Sequence, residues 1–161
     1  DPFKNGEDFE DYLKYYDHGT IILNIKSERI EFRVLELLKK YKVEKYFFLD
    51  SSFPMVYLLS EQGEKNIALR FSEFEGLDTI MNMKDRINWV WVDCFGKFPM
   101  DNISYKIFTD IGVKLCLVSP ELQNRRNELK PYIKTLQNGK IKIDAVCSKI
   151  DNYNTWNDLM P

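Results

Sequence analysis

The sequence lacks the glycine-rich loops that cradle nucleotide phosphates. Only seven of its 161 residues are glycine, and neither G-x-G-x-x-G nor G-x-x-x-x-G-K-[ST] occurs. No apolar run approaches the roughly 20 residues needed to cross a bilayer, and no signal peptide is recognisable. The net charge is −2, with Lys and Arg spread along the chain, so no basic stripe indicates nucleic acid. These absences argue against nucleotide-binding, membrane-spanning and nucleic-acid-binding classes.

Cysteine and histidine are also scarce. The three cysteines, Cys94, Cys116 and Cys147, lie in or at the end of separate apolar runs, form no C-x-x-C pair and cannot all pair within the chain. We therefore expect reduced, buried thiols in a cytoplasmic protein. The one histidine, His18, precedes the first predicted strand, opposite the end of the sheet where active sites form. We expect it to be a loop residue rather than a general base.

Six apolar runs recur along the chain, and most of them end on a polar or charged residue. The runs cover residues 21–26, 46–50, 67–71, 89–94, 113–119 and 144–148. Helical patterns lie between the runs, which indicates a series of βα units and a parallel sheet. A length of 161 residues and a hydrophobic fraction of 44% suit one α/β domain over residues 1–161 with a substantial core.

Serines are predicted to begin several of the helices, because a hydroxyl at the N-cap accepts a hydrogen bond from a free backbone amide. The expected caps are Ser27, Ser51 or Ser52, Ser72 and Ser119. Ser27 would begin a helix over residues 28–41, and Ser72 with Glu75 matches a capping box. Gly112 is expected to end a helix, and Glu121 to be a surface residue that complements a helix dipole.

Two architectures fit six βα units of this length. A flavodoxin-like doubly wound sheet is naturally about this size, whereas a (β/α)₈ barrel needs about 250 residues, so six strands would form most of one. Both folds bind ligands just beyond the carboxyl ends of their strands. The polar residues expected to gather there are Lys26, Asp50, Arg70, Asp93 and Ser119.

The first predicted strand carries one side of the candidate site. Ile22, Asn24 and Lys26 share one face of this strand, since side chains alternate. A barrel would point this face inward and place the Lys26 ammonium at the mouth of its cavity. The ammonium could then hold a phosphate oxygen and stabilise developing charge; the alternative is a solvated lysine at a strand end.

Two carboxylates and an arginine complete the candidate site. Arg70 either clamps the same phosphate with two hydrogen bonds or pairs with Glu73 or Glu75. Asp50 and Asp93 either orient substrate hydroxyls, with a partly desolvated carboxylate serving as base, or form ion pairs with the nearby lysine and arginine. Both interpretations of each residue stay open from the sequence alone.

Four short segments, in this order, resemble a known family. They are Leu23-Asn24-Ile25-Lys26, Leu49-Asp50-Ser51-Ser52-Phe53, Val118-Ser119-Pro120 and Asp144-Ala145-Val146-Cys147-Ser148-Lys149. Together they look like parts of a glycerophosphodiester phosphodiesterase-like barrel, within the phosphatidylinositol-phospholipase-C-like superfamily. The resemblance covers roughly residues 20–156. It implies a (β/α) barrel of TIM type whose third to eighth strands are present, so that the chain would be the later three-quarters of the barrel.

The resemblance also implies a chemistry. The family cleaves phosphodiesters with two histidines and commonly a divalent cation such as Mg²⁺ or Ca²⁺, and its histidines follow the first two strands. We expect those strands to be missing here, so this chain alone would be inactive. In the full-length parent, the catalytic residues would be Lys26 and Asp93, and the substrate- or phosphate-binding residues would be Asn24, Asp50 and Arg70.

Two departures from the family pattern leave the cofactor undetermined and keep an alternative function open. Asn24 stands where the family has a metal-binding glutamate, and an amide oxygen is a weaker ligand for a hard cation. Ser148-Lys149 stands where the family often has Thr-Asp. The alternative is a noncatalytic α/β module that binds an anionic metabolite or a partner protein. Self-association through open sheet edges is a further expectation.

Overall fold

The chain has a mixed α/β fold with parallel strands. A computed structural model describes residues 6–157, which contain a two-stranded sheet and a four-stranded sheet. The predicted α/β class with parallel sheets is confirmed. Two compact units are present, one ending at Ala68 and the other beginning at Leu69. No helix within residues 6–157 has the length and apolar character that crossing a membrane requires.

All six predicted apolar runs contain strands, each somewhat shorter than its run. The strands are β1 (Ile21–Asn24), β2 (Tyr46–Leu49), β3 (Ala68–Phe71), β4 (Trp89–Val92), β5 (Lys114–Val118) and β6 (Ala145–Cys147). The α-helices are α1 (Phe9–Leu13), α2 (Glu31–Lys40), α3 (Phe53–Glu61), α4 (Asp78–Asn82), α5 (Asn102–Ile111), α6 (Leu129–Asn138) and α7 (Tyr153–Asn157). Short 3₁₀ helices cover Pro120–Gln123, Arg126–Glu128 and Ile150–Asn152.

The first unit is built on the parallel pair β1–β2. Ile21 lies opposite Tyr46, and this register continues to Asn24 opposite Leu49. A single parallel bridge joins Phe48 to Ile67. The core side chains of this unit come from β1, α2, β2 and α3 and include Leu23, Leu38, Phe48 and Leu59. The parallel register brings the carboxyl ends of β1 and β2 to the same edge.

The second unit is built on the sheet with the order β3-β4-β5-β6. Both β4 and β6 pair in parallel with β5, and the Asp93 N–H donates to the Phe71 carbonyl at 2.9 Å. Every residue of β4, Trp89–Val92, is buried, as is typical of a strand covered on both faces. The carboxyl ends of β4, β5 and β6 therefore lie along one edge, where the polar residues of this unit follow them.

The cysteines are free thiols, and their expected burial holds fully for two of the three. Cys94 and Cys116 are buried, whereas Cys147 is half-buried in β6. Burial raises the pKa of Cys94 to about 11, and it also raises the pKa of Cys116 and Cys147. These thiols stay protonated near neutral pH, which keeps them weak nucleophiles.

The predicted serine caps at the first two βα connections are only partly confirmed. Ser27 does not begin a helix: α2 starts at Glu31 after Ile30, with no side-chain cap. Ser52 does occupy the N-cap of α3 and has proline in the first turn, as predicted, but its hydroxyl donates to Glu28 at 3.0 Å instead of accepting from a helix amide. The Ser52 hydroxyl, which the sequence predicted as a helix cap, therefore forms a hydrogen bond with the Glu28 carboxylate instead.

The capping box predicted after β3 forms a turn without a helix. Ser72 Oγ accepts from the Glu75 N–H at 3.2 Å and donates to the Glu75 carboxylate at 2.8 Å. However, α4 begins only at Asp78, so the predicted helix start is wrong. The Ser72 N–H also donates to the Glu75 carbonyl at 3.1 Å, which closes the turn upon itself. A helix cannot continue directly from this closed turn.

Gly112 ends α5 in a left-handed conformation, with φ of +73°, as its place in the sequence predicted. Glycine reaches this region without a Cβ penalty, and the turn satisfies carbonyls at the end of the helix. At the other end of α5, Asp101 and Ser104 form a reciprocal capping box.

We predict that Gly112→Ala lowers the free energy of unfolding by about 1 kcal/mol, because alanine is strained at positive φ. A Cβ at Gly112 would meet nothing within 4 Å, so the effect is confined to the backbone. Gly76→Ala is the control, because a Cβ there also has open space and its φ lies outside the left-handed range. Urea denaturation of both variants measures the difference, and equal losses would contradict the prediction.

Candidate functional site

The first unit brings together two of the predicted site residues. Lys26 Nζ lies 2.8 Å from Asp50 Oδ2, just past the carboxyl ends of β1 and β2. The lysine side chain is 54% exposed and the aspartate side chain 24%. The ion pair, one of the two interpretations that the sequence left open for Asp50, is thus present. A pair this exposed contributes at most about 1 kcal/mol to stability, so it leaves the ammonium available to solvent and ligands.

Asp50 adopts an unusual backbone conformation for this position. Its φ is +60°, in the left-handed region that residues other than glycine seldom occupy, although aspartate is among the more tolerant. Such conformations cluster at ligand and active sites. The next residue, Ser51, has a buried hydroxyl oxygen without a hydrogen-bond partner among the described residues. Strain and an unsatisfied hydroxyl therefore coincide at the end of β2.

Asn24 lies on the exposed face of β1, whereas a barrel would turn this face inward. Ile21, Leu23 and Ile25 are buried, whereas Asn24 and Lys26 are exposed on the alternate face. The predicted alternation is therefore confirmed. Within the described residues, the face with Asn24 and Lys26 is the more exposed of the two, since the apolar side chains of the opposite face are buried.

The second unit brings together the other two predicted residues, Arg70 and Asp93. Arg70 Nη1 lies 3.5 Å from Asp93 Oδ2, at the carboxyl ends of the neighbouring strands β3 and β4. The arginine side chain is 24% exposed, whereas that of Asp93 is only 7% exposed. Arg70 Nε also lies 3.9 Å from the Glu75 carboxylate. Arg70 thus pairs with Asp93 and with Glu75, two of the three carboxylates that the sequence offered as partners; the third is Glu73.

Donors surround the Asp93 carboxylate. Besides Arg70, it accepts hydrogen bonds from the Cys94 N–H at 2.9 Å, Gln123 Nε2 at 3.1 Å and Trp91 Nε1 at 3.3 Å. A carboxylate has about four lone-pair positions, so these groups fill it. In this conformation Asp93 is suited to holding the Arg70 guanidinium in place. It could act as a base only after one of these hydrogen-bond donors moves away.

The sequence did not single out Gln123 as a member of this cluster. Gln123 lies in the 3₁₀ helix that follows β5, and its amide reaches Asp93 across 30 positions of sequence. No local pattern identifies such a partner, because only the pairing of β4 with β5 brings the two segments together.

Comparison with protein-family models, with curated proteins and with solved structures found no match to this chain. The chemistry of these side chains and the resemblance of the four sequence segments described above are therefore the guides to what this chain does. Both indicate a candidate site at the carboxyl ends of the strands.

Glu73 joins the loop after β3 to the loop after β4. Its carboxylate accepts the N–H groups of Phe95 at 3.1 Å, of Gly96, and of Lys97 at 2.8 Å. Partial burial alone would raise the pKa of Glu73, but these backbone hydrogen bonds outweigh burial and lower it. Successive amides that converge on one oxyanion form a nest, so the two loops are held by a charge-assisted contact.

Glu121 is buried, so its predicted place on the surface is wrong. It accepts hydrogen bonds from the hydroxyl of Ser119, from Ser148 Oγ at 2.5 Å and from the Lys149 N–H at 3.1 Å. Ser119 Oγ in turn accepts from Trp156 Nε1 at 2.9 Å. The segment after β6 supplies most of these donors, and a helix-dipole argument from residues 119–121 alone could not anticipate it.

The donor set does not fit a resident metal ion. Residues 6–157 contain no group of three or more His, Cys, Asp or Glu placed to hold a metal. Asn24, which stands where the resembled family has a carboxylate, is exposed at the end of β1. We therefore derive no chemical step through a metal.

We predict that Glu121→Gln flattens the acid dependence of stability. Burial would raise the pKa of Glu121, but hydrogen bonds from Ser119, Ser148 and the Lys149 N–H hold it below its usual value of 4.5. A carboxylate with a lowered folded-state pKa stabilises the fold above its unfolded pKa, and this contribution is lost as the pH falls through the folded value.

Urea denaturation between about pH 7 and pH 2 measures this contribution. Near pH 7, Glu121→Gln should lose about 1–3 kcal/mol of unfolding free energy, and its slope below the usual glutamate pKa should be shallower than that of the unmodified chain. Glu44→Gln, at an exposed glutamate, should leave the slope unchanged. Parallel slopes for Glu121→Gln and the unmodified chain would contradict the assignment.

Proposed function

We propose that this chain carries the phosphate-binding residues of a phosphodiesterase-like (β/α) barrel that hydrolyses glycerophosphodiester or sugar-phosphate diester substrates. The observation that carries the proposal is the Arg70–Asp93 pair, in which a partly exposed guanidinium is held by a buried carboxylate at the carboxyl ends of adjacent strands. The barrel architecture, with these strands as its third to eighth, is part of the proposal. A flavodoxin-like doubly wound sheet is its alternative.

Arg70 has the chemistry to bind a phosphate group. A guanidinium presents five N–H donors in a planar fork, and Asp93 occupies one edge of it at 3.5 Å. The Nε edge faces Glu75, which is 3.9 Å away and whose side chain is 47% exposed. A phosphate oxygen can replace so exposed a carboxylate at small cost, because the contact is screened by water. Charge-assisted, bidentate binding would then hold the ligand.

In the first unit, Lys26 is the basic residue proposed to bind phosphate, and Asp50 is the carboxylate that pairs with it. We propose that the exposed Lys26 ammonium contacts a phosphate oxygen and stabilises negative charge as it develops. Asp50 holds this ammonium in place, and Asn24 offers an amide to substrate hydroxyls from the same strand face as Lys26. Asp93 is a second candidate catalytic residue. To act as a base, its carboxylate would first have to lose one of the hydrogen bonds that it accepts. The free thiols support a cytoplasmic location.

A noncatalytic binding module is the second candidate function. The observation that favours it is the place of His18, the only histidine of the sequence, which lies in the loop before β1 with its ring 4.9 Å from that of Tyr16. Within this chain, general acid–base catalysis at the carboxyl ends of the strands thus has no imidazole to use. The same lysine and arginine would then recognise an anionic ligand without cleaving it.

We predict that Arg70→Gln weakens binding of phosphate compounds by about tenfold or more, because it removes a charge-assisted contact. Titration calorimetry with inorganic phosphate, glycerol 3-phosphate and glycerophosphocholine measures the affinities. Arg126→Gln is the matched control, because Arg126 is an exposed arginine that pairs with Asp151 at 2.9 Å outside the proposed site.

Phosphorus NMR of glycerophosphocholine mixed with the full-length parent, which would carry all eight strands, separates the two candidate functions, because this chain alone is expected to be inactive. Hydrolysis that Arg70→Gln abolishes and Arg126→Gln retains supports the phosphodiesterase. Binding that depends on Arg70 but occurs without hydrolysis supports the binding module. If no phosphate compound binds, or if Arg70→Gln and Arg126→Gln bind alike, both candidates are wrong.

A further inference from the structure

Two exposed aromatic rings lie beside Arg70. Phe74 follows β3 and is 81% exposed, and Phe95 follows β4 and is 39% exposed. Their ring centroids are 6.1 Å apart with an interplanar angle of 43°. The Arg70 guanidinium carbon lies 5.7 Å from the Phe95 ring centroid. The two loops therefore present an apolar surface beside Arg70, the residue that we propose binds the phosphate.

The loops that carry these rings are fixed by polar contacts. Glu73, next to Phe74 in the chain, accepts the backbone N–H groups of Phe95, Gly96 and Lys97. A Cβ at Gly96 would come within 3.2 Å of this carboxylate, so the absence of a side chain permits the close approach. These contacts join the backbone segments that carry the two rings, while the rings themselves are exposed.

Arg125 fixes the second loop from its other side. Its guanidinium donates to the carbonyl of Cys94 and, at 3.1 Å, to the carbonyl of Gly96. Glu128, at 2.5 Å, and the Tyr132 hydroxyl, at 2.9 Å, hold the same guanidinium nitrogen Nη1. Contacts from both neighbouring segments thus order a loop whose aromatic residue remains exposed. Ordering a loop costs conformational entropy, and here the ordered ring is left facing solvent.

We infer that the phosphate group bound by Arg70 is attached to a sugar ring, and that this ring stacks on the Phe74–Phe95 pair. The inference rests on the proposed function and specifies its substrate class as a hexose phosphate rather than a glycerol phosphate. The C–H groups on one face of a pyranose carry partial positive charge, and the faces of the two phenyl rings carry partial negative charge. Glycerol has no ring face to offer.

Charge complementarity supports this occupant. A sugar phosphate combines an anion, which the guanidinium can bind through two hydrogen bonds, with an apolar ring face. The Arg70 guanidinium carbon lies 5.7 Å from the centroid of the Phe95 ring, a spacing that lets one small ligand contact both groups. The Glu75 carboxylate, 3.9 Å from Arg70 Nε, is an additional acceptor for sugar hydroxyls.

Titration calorimetry with α-glucose 1-phosphate and glycerol 3-phosphate tests the inference. We predict that the unmodified chain binds the hexose phosphate roughly five- to tenfold more tightly, the factor expected for one stacking contact. Phe74→Ala and Phe74→Leu should remove this preference while the affinity for glycerol 3-phosphate stays unchanged. Phe74→Trp should restore the preference, because it provides an aromatic face. Tyr153→Ala, at an exposed ring beside the end of β6, is the control.

The outcomes separate this inference from the proposed function. If neither phosphate compound binds, the proposed function is wrong. If both bind through Arg70 with equal affinity, or if Phe74→Ala weakens both alike, the sugar platform is wrong while phosphate binding stands. Sedimentation with phosphatidylglycerol vesicles supplies another test: vesicle binding that requires Phe74, with sugar affinity unaffected by Phe74→Ala, would overturn the inference in favour of a lipid surface. Thermal unfolding of each variant confirms that it is folded.

Discussion

The filled carboxylate of Asp93 is the interaction on which the polar edge of the second unit depends. It draws an arginine from β3, an indole from β4 and an amide from the segment after β5 to one nearly buried charge. Removing such a charge from water is costly unless donors replace the hydration shell, and here donors from three consecutive βα units do so. The orientation of Arg70, and with it the proposed phosphate contact, follows from this arrangement.

Three carboxylates organise this edge by the same physical means. Asp93, Glu73 and Glu121 each accept several N–H or O–H donors from other segments. Charge-assisted hydrogen bonds therefore join the loops that follow the strands. This leaves Phe74 and Arg70 at the surface of an ordered edge, which is the condition under which a small ligand can be bound without reorganising the loops.

Sequence periodicity was sufficient for the strands, because alternation and strand order determine which strand ends meet. It left the ion pairs Lys26–Asp50 and Arg70–Asp93 as one of two open interpretations, and the structure contains both pairs. Periodicity was insufficient where a polar side chain bonds a partner distant in sequence, because no local pattern identifies that partner. Ser52 bonds Glu28 instead of a helix amide, and Glu121 is covered by the segment after β6. Gln123 illustrates the same limit, since only strand pairing brings it to Asp93.

The free thiols of the second unit can be used to detect local opening of its sheet. Cys94 follows β4, Cys116 lies within β5 and Cys147 within β6, so each neighbouring strand has one sulfur atom. Cys94 Sγ also donates to the Val118 carbonyl at 3.1 Å, which links its exposure to the separation of β4 from β5. A thiol reagent reacts with a buried cysteine only after the surrounding structure opens. Cys147 is only half-buried and can react without such opening, so the labelling rates of Cys94 and Cys116, compared with that of Cys147, would report the separation of β4 and β5.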